Sequence, residues 1–199
     1  MKLDYYHVKG VFLKKGYAFF DNMKPYNLNI FGVRCDVDTN FFDDLICIAY
    51  RDEQLSETVE IFQATTDAGE YWLLNPLNSQ GTAILCEGQY RGVYKIDKHG
   101  GRYDALCQRN GKVKVYRDGN KDKNHDMNPL NTQSGYYGIN IHRTSPYRDT
   151  SYINRYSAGC QVFRYTKHFN RMMKLLRTSI DNGFKNKFTY SLLNKDDFD

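Results

Sequence analysis

The sequence predicts a mainly β fold: a sheet or barrel with one C-terminal amphipathic helix packed on it. Three observations carry this. Short runs of apolar, β-branched and aromatic residues follow one another closely from residue 45 to 142, and turn signals rich in Gly, Asn and Asp divide them. Only one later stretch repeats its apolar residues with helical periodicity. Such spacing favours an all-β arrangement over alternating βα units. Aromatic residues make up 15% of the 199, with 17 Tyr, more than a disordered chain carries.

Residues 1–28 alternate less clearly than the rest and are expected as an arm or hairpin docked on a domain spanning 29–199. Strands are predicted at LICIAY (45–50), VEIFQAT (59–65), YWLL (71–74), TAILCEG (82–88) and YRGVYKI (90–96). YDALCQR (103–109), KVKVYR (112–117) and YYGINIH (136–142) follow, with DAG, NPLNSQG, HGG, NGK and DGN as the turns. Asp118 to Ser134 is a long polar loop of the kind that is either mobile or functional, and it leads into the strand ending at His142. DGNKD (118–122) imitates a calcium loop, but Lys123 stands where Gly is needed and Pro129 where Glu is needed, so no calcium site is expected. From Lys167 to Asn182, Phe169, Met172, Met173, Leu176 and Ile180 share one helical face, with Thr166 able to cap the start and Gly183 to end it. FTYSLL (188–193) returns to the sheet.

Charge and cysteines exclude several classes. The net charge of +5 is scattered among acids, without the basic stripe of a nucleic-acid binder. The N-terminus has no apolar signal core and no run approaches a membrane span, so synthesis in a reducing cytoplasm without a cleaved signal, and no membrane insertion, are expected. The five cysteines contain no CxxC pair. Cys35, Cys47, Cys86 and Cys107 lie in apolar runs and suit small buried fillers. Neither His125 nor His168 has a supporting spacing, so neither a metal nor another cofactor is expected.

Cys160 differs from the other four, since Ser157, Ala158 and Gly159 precede it. In YYGINIH the period-2 pattern puts Tyr137, Ile139 and Ile141 on one face and Tyr136, Gly138, Asn140 and His142 on the other. Consecutive strands joined by one loop usually neighbour each other, so His142 and Cys160 are candidates for a dyad. An imidazole turns a thiol into a nucleophile, and small neighbours let a carbonyl approach sulfur while backbone N–H groups hold the oxyanion. Taken alone, a Cys after Gly in an apolar strand is more often structural than catalytic, and a single His beside a loop is commonly a surface residue. Residues alone stop there.

A histidine ending a strand, an intervening loop, and then Ser-X-Gly-Cys resembles the active-site signature of the L,D-transpeptidase (YkuD-like) family, here His142 and Ser157-Ala158-Gly159-Cys160. The likeness is strongest over 135–165. ATTDAGEYWLLNP (64–76) and GTAILCEGQYRGVYKI (81–96) are similar in placing to that family's substrate-side strands, and the stretch from about 30 to 193 resembles a subgroup encoded by phages and prophages. The resemblance implies a mixed sheet or barrel, Cys160 as acylating nucleophile, His142 as base and then acid, and backbone N–H groups near Gly159 and Cys160 as oxyanion hole. It implies peptidoglycan stem peptides as substrate. Where the family has Gly after the histidine, this chain has Arg143; where it has Arg two residues after the cysteine, this chain has Val162. Recognition of a substrate carboxylate then passes to Arg143, Arg155 or Arg164, unless these are solvated surface arginines. Ser157 bonds either the histidine, the substrate or its local backbone, and Tyr136, Tyr156 and Trp72 line a groove or pack the core. The expected activity is a phage-type lytic peptidase, or endolysin, that reaches the wall after release or on a virion. A cross-linking transpeptidase and a catalytically silent wall-binding or virion protein are the alternatives.

Overall fold

The computed structural model describes residues 3–35 and 40–199. Residues 1 and 2 of the expected arm lie outside them. The strands are β1 (Asn29–Arg34), β2 (Asp44–Arg51), β3 (Glu57–Thr65), β4 (Thr82–Leu85), β5 (Gly88–His99), β6 (Tyr103–Gln108), β7 (Val113–Asp118), β8 (Thr132–Gly135), β9 (Ile141–Arg143), β10 (Gln161–Phe163) and β11 (Phe188–Asn194). Three α-helices accompany them: α1 (Tyr5–Lys14), α2 (Glu70–Leu74) and α3 (Thr166–Asp181). The fold is mainly β with a mixed sheet and a C-terminal helix, as the sequence predicts.

Eight strands close into a barrel in the order β1-β11-β5-β6-β9-β10-β3-β2, and β4, β7 and β8 form a separate sheet. β1 runs parallel to β11 and β9 parallel to β10; the other pairings are antiparallel. LICIAY is apolar without alternation because β2 is covered on both faces. Ile46, Ile48 and Tyr50 join the main core, whereas Cys47 and Ala49 face a second cluster formed with α1. Cys47, Cys86 and Cys107 are buried, and Cys35 and Cys160 are partly exposed.

α3 begins one residue before its predicted start and buries Phe169, Met172, Met173, Leu175 and Leu176 in the main core. Its N-cap is Tyr165; Thr166 Oγ instead donates to Ser145 O at 3.3 Å. No helix among the described residues is long and apolar enough to cross a membrane.

The structure departs from the predicted elements in several places, among them β8, which begins inside the expected loop 118–134. Residues 3–28, expected as an arm or hairpin, hold a helix: Asp4 caps it by accepting from His7 N at 2.9 Å, and Tyr5, Val8, Val11 and Phe12 pack on Phe31, Val33 and Leu193 outside the barrel. YWLL is the one-turn α2, in which Leu73 is the buried residue; a four-residue apolar run carries no periodicity to separate strand from helix. Of YYGINIH, only Ile141 and His142 enter the ladder, as part of β9.

Candidate active site

The break in YYGINIH is built by one side chain. Gly138 has φ +68, a conformation that interrupts a strand, and Gln108 replaces the missing ladder partner. Its Oε1 accepts from Tyr137 N at 3.2 Å and Ile139 N at 3.1 Å, while its Nε2 donates to Gly111 O at 3.0 Å and Gly135 O at 2.9 Å. Gln108 N donates to Asn140 Oδ1 at 2.9 Å. Asn140 must therefore point its Nδ2 at His99, whose Nδ1 accepts at 3.1 Å.

The chain then enters β9 with His142 only 5% exposed. Its Nδ1 lies 3.0 Å from Arg143 O. A carbonyl only accepts, so the proton sits on Nδ1 and the Nε2 lone pair is left for use as a base. The His99 ring stacks on His142 with centroids 4.1 Å apart. Burial, and then the neighbouring His99, push His142 down to about 3, so the imidazole is neutral.

The cysteine turn is held by Ser157. Its Oγ lies 2.6 Å from Asp67 O and 2.7 Å from Cys160 O and accepts from Gly159 N at 3.1 Å. Ser157 thus serves the local backbone, not His142 or an open surface. Gly159 is compelled by space: φ is +113, and a Cβ there would lie 1.9 Å from Ala83 O of β4. After the turn, buried Gln161 fixes β10 by donating from Nε2 to Thr66 O at 3.0 Å and accepting from Tyr190 OH at 2.8 Å. The 65–67 segment is itself clamped. Arg34, 3% exposed, donates to Thr66 O and Leu85 O and pairs with Asp67 and Glu87, while Asp44 accepts from Thr66 N.

Cys160 Sγ donates to Gly138 O and accepts from Asn140 N, both at 3.4 Å. Burial pushes the thiol up to about 11. The parallel register pairs Gln161 with Ile141 and Val162 with His142, and the bond from Asn140 N to Sγ sets Cys160 beside Asn140, two residues before His142. They are not hydrogen-bonded to each other. Of the two expected oxyanion donors, Gly159 N–H is committed to Ser157, whereas Cys160 N–H has no partner within the described chain. The arrangement is a neutral, partly exposed thiol, a neutral base two residues along the adjacent strand, and one free backbone donor.

The remaining candidates separate by their contacts. Arg164 is spent on the framework, donating to Thr150 O, Gln63 Oε1 and Ser151 Oγ. Arg143 lies over Tyr103 at 4.3 Å and donates to Thr144 O. Arg155 is exposed and rests on Tyr71 at 4.0 Å, with its carbonyl accepting from Trp72 Nε1 at 3.1 Å. Tyr136 is 62% exposed, and Tyr156 packs with Cys160 against Phe42, Ile153 and Val162. Gln108 and His99 escape the sequence reading. His99 belongs to the HGG turn, and only the barrel order brings β5 and β6 to β9.

No family model matches the chain, nor does any curated protein or any solved structure.

Proposed function

We propose that the chain is a cysteine-dependent peptidoglycan-modifying enzyme of L,D-transpeptidase type, cutting stem-peptide amides through a thioester on Cys160. One observation supports this reading above the others. His142 Nδ1 is tied to Arg143 O, so the free nitrogen of a neutral imidazole stands on the strand next to a partly exposed thiol flanked by small residues.

In this reaction His142 Nε2 takes the thiol proton as sulfur attacks the amide carbon, and Cys160 N–H donates to the oxygen that becomes negative. Collapse of the tetrahedral species breaks the C–N bond, His142 returns the proton to the leaving amine, and a thioester remains. Water, deprotonated by His142, then attacks the thioester; the acid leaves and sulfur regains its proton. An amine in place of water gives a cross-link by the same steps. Hydrolysis is the proposed outcome, carried out by a phage-type lytic enzyme that meets the wall after release or on a virion.

A catalytically silent wall-binding or virion protein is the second reading, favoured by one observation: thiol and imidazole are both neutral and not bonded to each other. Digestion of purified sacculi with mass spectrometry of the released muropeptides separates the two. New cleaved stems from the native chain, absent with Cys160→Ala and with His142→Ala, are expected. Binding to sacculi without any covalent change in the muropeptides would overturn the enzyme reading.

A further inference from the structure

Arg117 on β7 is 6% exposed, yet it has no acidic partner among the described residues. Its Nε donates to Gln133 Oε1 at 2.9 Å, its Nη1 donates to Gly81 O at 3.0 Å, and its guanidinium lies over the Tyr137 ring at 4.7 Å. All three neighbours are neutral, and these bonds employ two of the five N–H groups of an arginine. The other buried arginines follow a different rule. Arg34 pairs with Asp67 and Glu87, and Arg51 with Asp21 and Glu57. Burial of a cation is costly unless a counter-charge meets it, and among the described residues Arg117 is the buried arginine that has none.

Arg117 lines a cavity of about 200 Å³ together with Trp72, Thr82, Ala83, Tyr137 and Ala158. That volume equals roughly seven waters of bulk liquid, enough for one amino-acid residue with its acid group. Its position links it to the cysteine turn: Ala158 stands two residues before Cys160, and Ala83 O is the atom that packs on Gly159. β4 contributes Thr82 and Ala83 to its lining, β7 Arg117, α2 Trp72 and the cysteine turn Ala158.

We propose that this cavity is a carboxylate subsite in which Arg117 supplies the counter-charge for an acidic group of a bound peptide, held beside the amide that Cys160 attacks. The position of that amide rests on the cysteine-enzyme reading; the subsite itself stands on the unpaired guanidinium and the cavity. A planar guanidinium with free N–H groups suits bidentate capture of a carboxylate, and the Trp72 and Tyr137 rings supply apolar walls. The carboxylate is either the C-terminus of the peptide or a side-chain acid.

The test uses the full chain as Cys160→Ala, so that binding is read without turnover, and titration calorimetry with three synthetic stem tetrapeptides. One has all carboxylates free, one is amidated at its C-terminus, and one is amidated at its internal acid. One of the two amidations is expected to weaken binding about tenfold to a hundredfold, and the amidation that does so identifies the source. Adding Arg117→Gln is expected to weaken the free-acid peptide by the same factor while leaving that amidated peptide unchanged. Absence of binding, amidation effects below about twofold, or losses from amidation and Arg117→Gln that simply add would overturn the proposal. The amidation comparison needs no change at Arg117, so it decides even if that variant fails to fold. Native-chain turnover of the free-acid peptide, followed by mass spectrometry, keeps the two readings apart. Turnover with binding indifferent to amidation sinks the subsite and spares the enzyme, and Arg117-dependent binding without turnover does the reverse.

Discussion

The resting charge of the dyad gives a rate that can be measured. With the Cys160 thiol pushed up to about 11 by burial, its thiolate fraction at pH 7 is about 1 in 10,000, against a few per cent for an ordinary peptide thiol. That is a deficit of roughly 300-fold. The higher basicity returns part of it, since nucleophilicity toward a disulfide rises with thiol pKa at a Brønsted slope of about 0.4–0.5, or about tenfold over this interval. Cys160 is therefore expected to react with a neutral aromatic disulfide about 30-fold more slowly than a peptide thiol at pH 7, and about tenfold faster for each pH unit up to about 10. His142→Ala is expected to leave the neutral-pH rate within about threefold, because no hydrogen bond joins imidazole and sulfur at rest. Peptide-resolved mass spectrometry is the assay, since Cys35 is also partly exposed. A flat, fast rate between pH 5 and 8 that disappears in His142→Ala would show a resting thiolate–imidazolium pair and refute the reasoning.

Two further outcomes follow from the same geometry. Gly159→Ala puts a methyl 1.9 Å from Ala83 O at a φ of +113, so strain and overpacking together are expected to cost about 2–5 kcal/mol in urea unfolding; a loss below about 1 kcal/mol would mean the turn is not wedged against β4. His142 is a base held neutral down to about 3, against about 6.5 in the unfolded chain, so between those values the unfolded state binds more protons and stability falls as pH falls, by at most about 1.4 kcal/mol per unit. Urea midpoints measured from pH 7 to 4 are expected to drop more steeply for the native chain than for His142→Gln, and parallel profiles would show that His142 takes up its proton without opposing the fold.

The elements legible in the sequence are those whose burial is simple. β2 and α3 stand where their patterns put them because an unbroken apolar run needs two covers and an i, i+3, i+4 stripe needs one. α1 was missed, although Asp4 is a capping residue and Tyr5, Val8 and Phe12 have helical spacing. Gly10 and two valines lower its helix propensity, and the face it buries against lies outside the barrel, where no local pattern points. His142 and Cys160 could be named as candidates because both lie at strand ends within one loop of each other. Its supports could not, since they act through sequence-distant hydrogen bonds: Ser157 to Asp67, Gln161 to Thr66, and Gln108 to the backbone of 137 and 139.

Gln108, Asn140 and His99 form a chain of fixed donors and acceptors that ends against the imidazole. Gln108 N fixes the Asn140 amide, the amide fixes the His99 tautomer, and the His99 ring lies flat on His142. Two rings stacked at 4.1 Å oppose being protonated together, and burial, then Arg109 and Arg102, push His99 down, so neither ring favours the cation. The stack therefore disfavours a proton on His142 unless a compensating negative charge develops beside it. In the proposed reaction a tetrahedral oxyanion would supply that charge during attack on a bound amide, whereas solvent supplies none, so proton transfer would be tied to the presence of substrate.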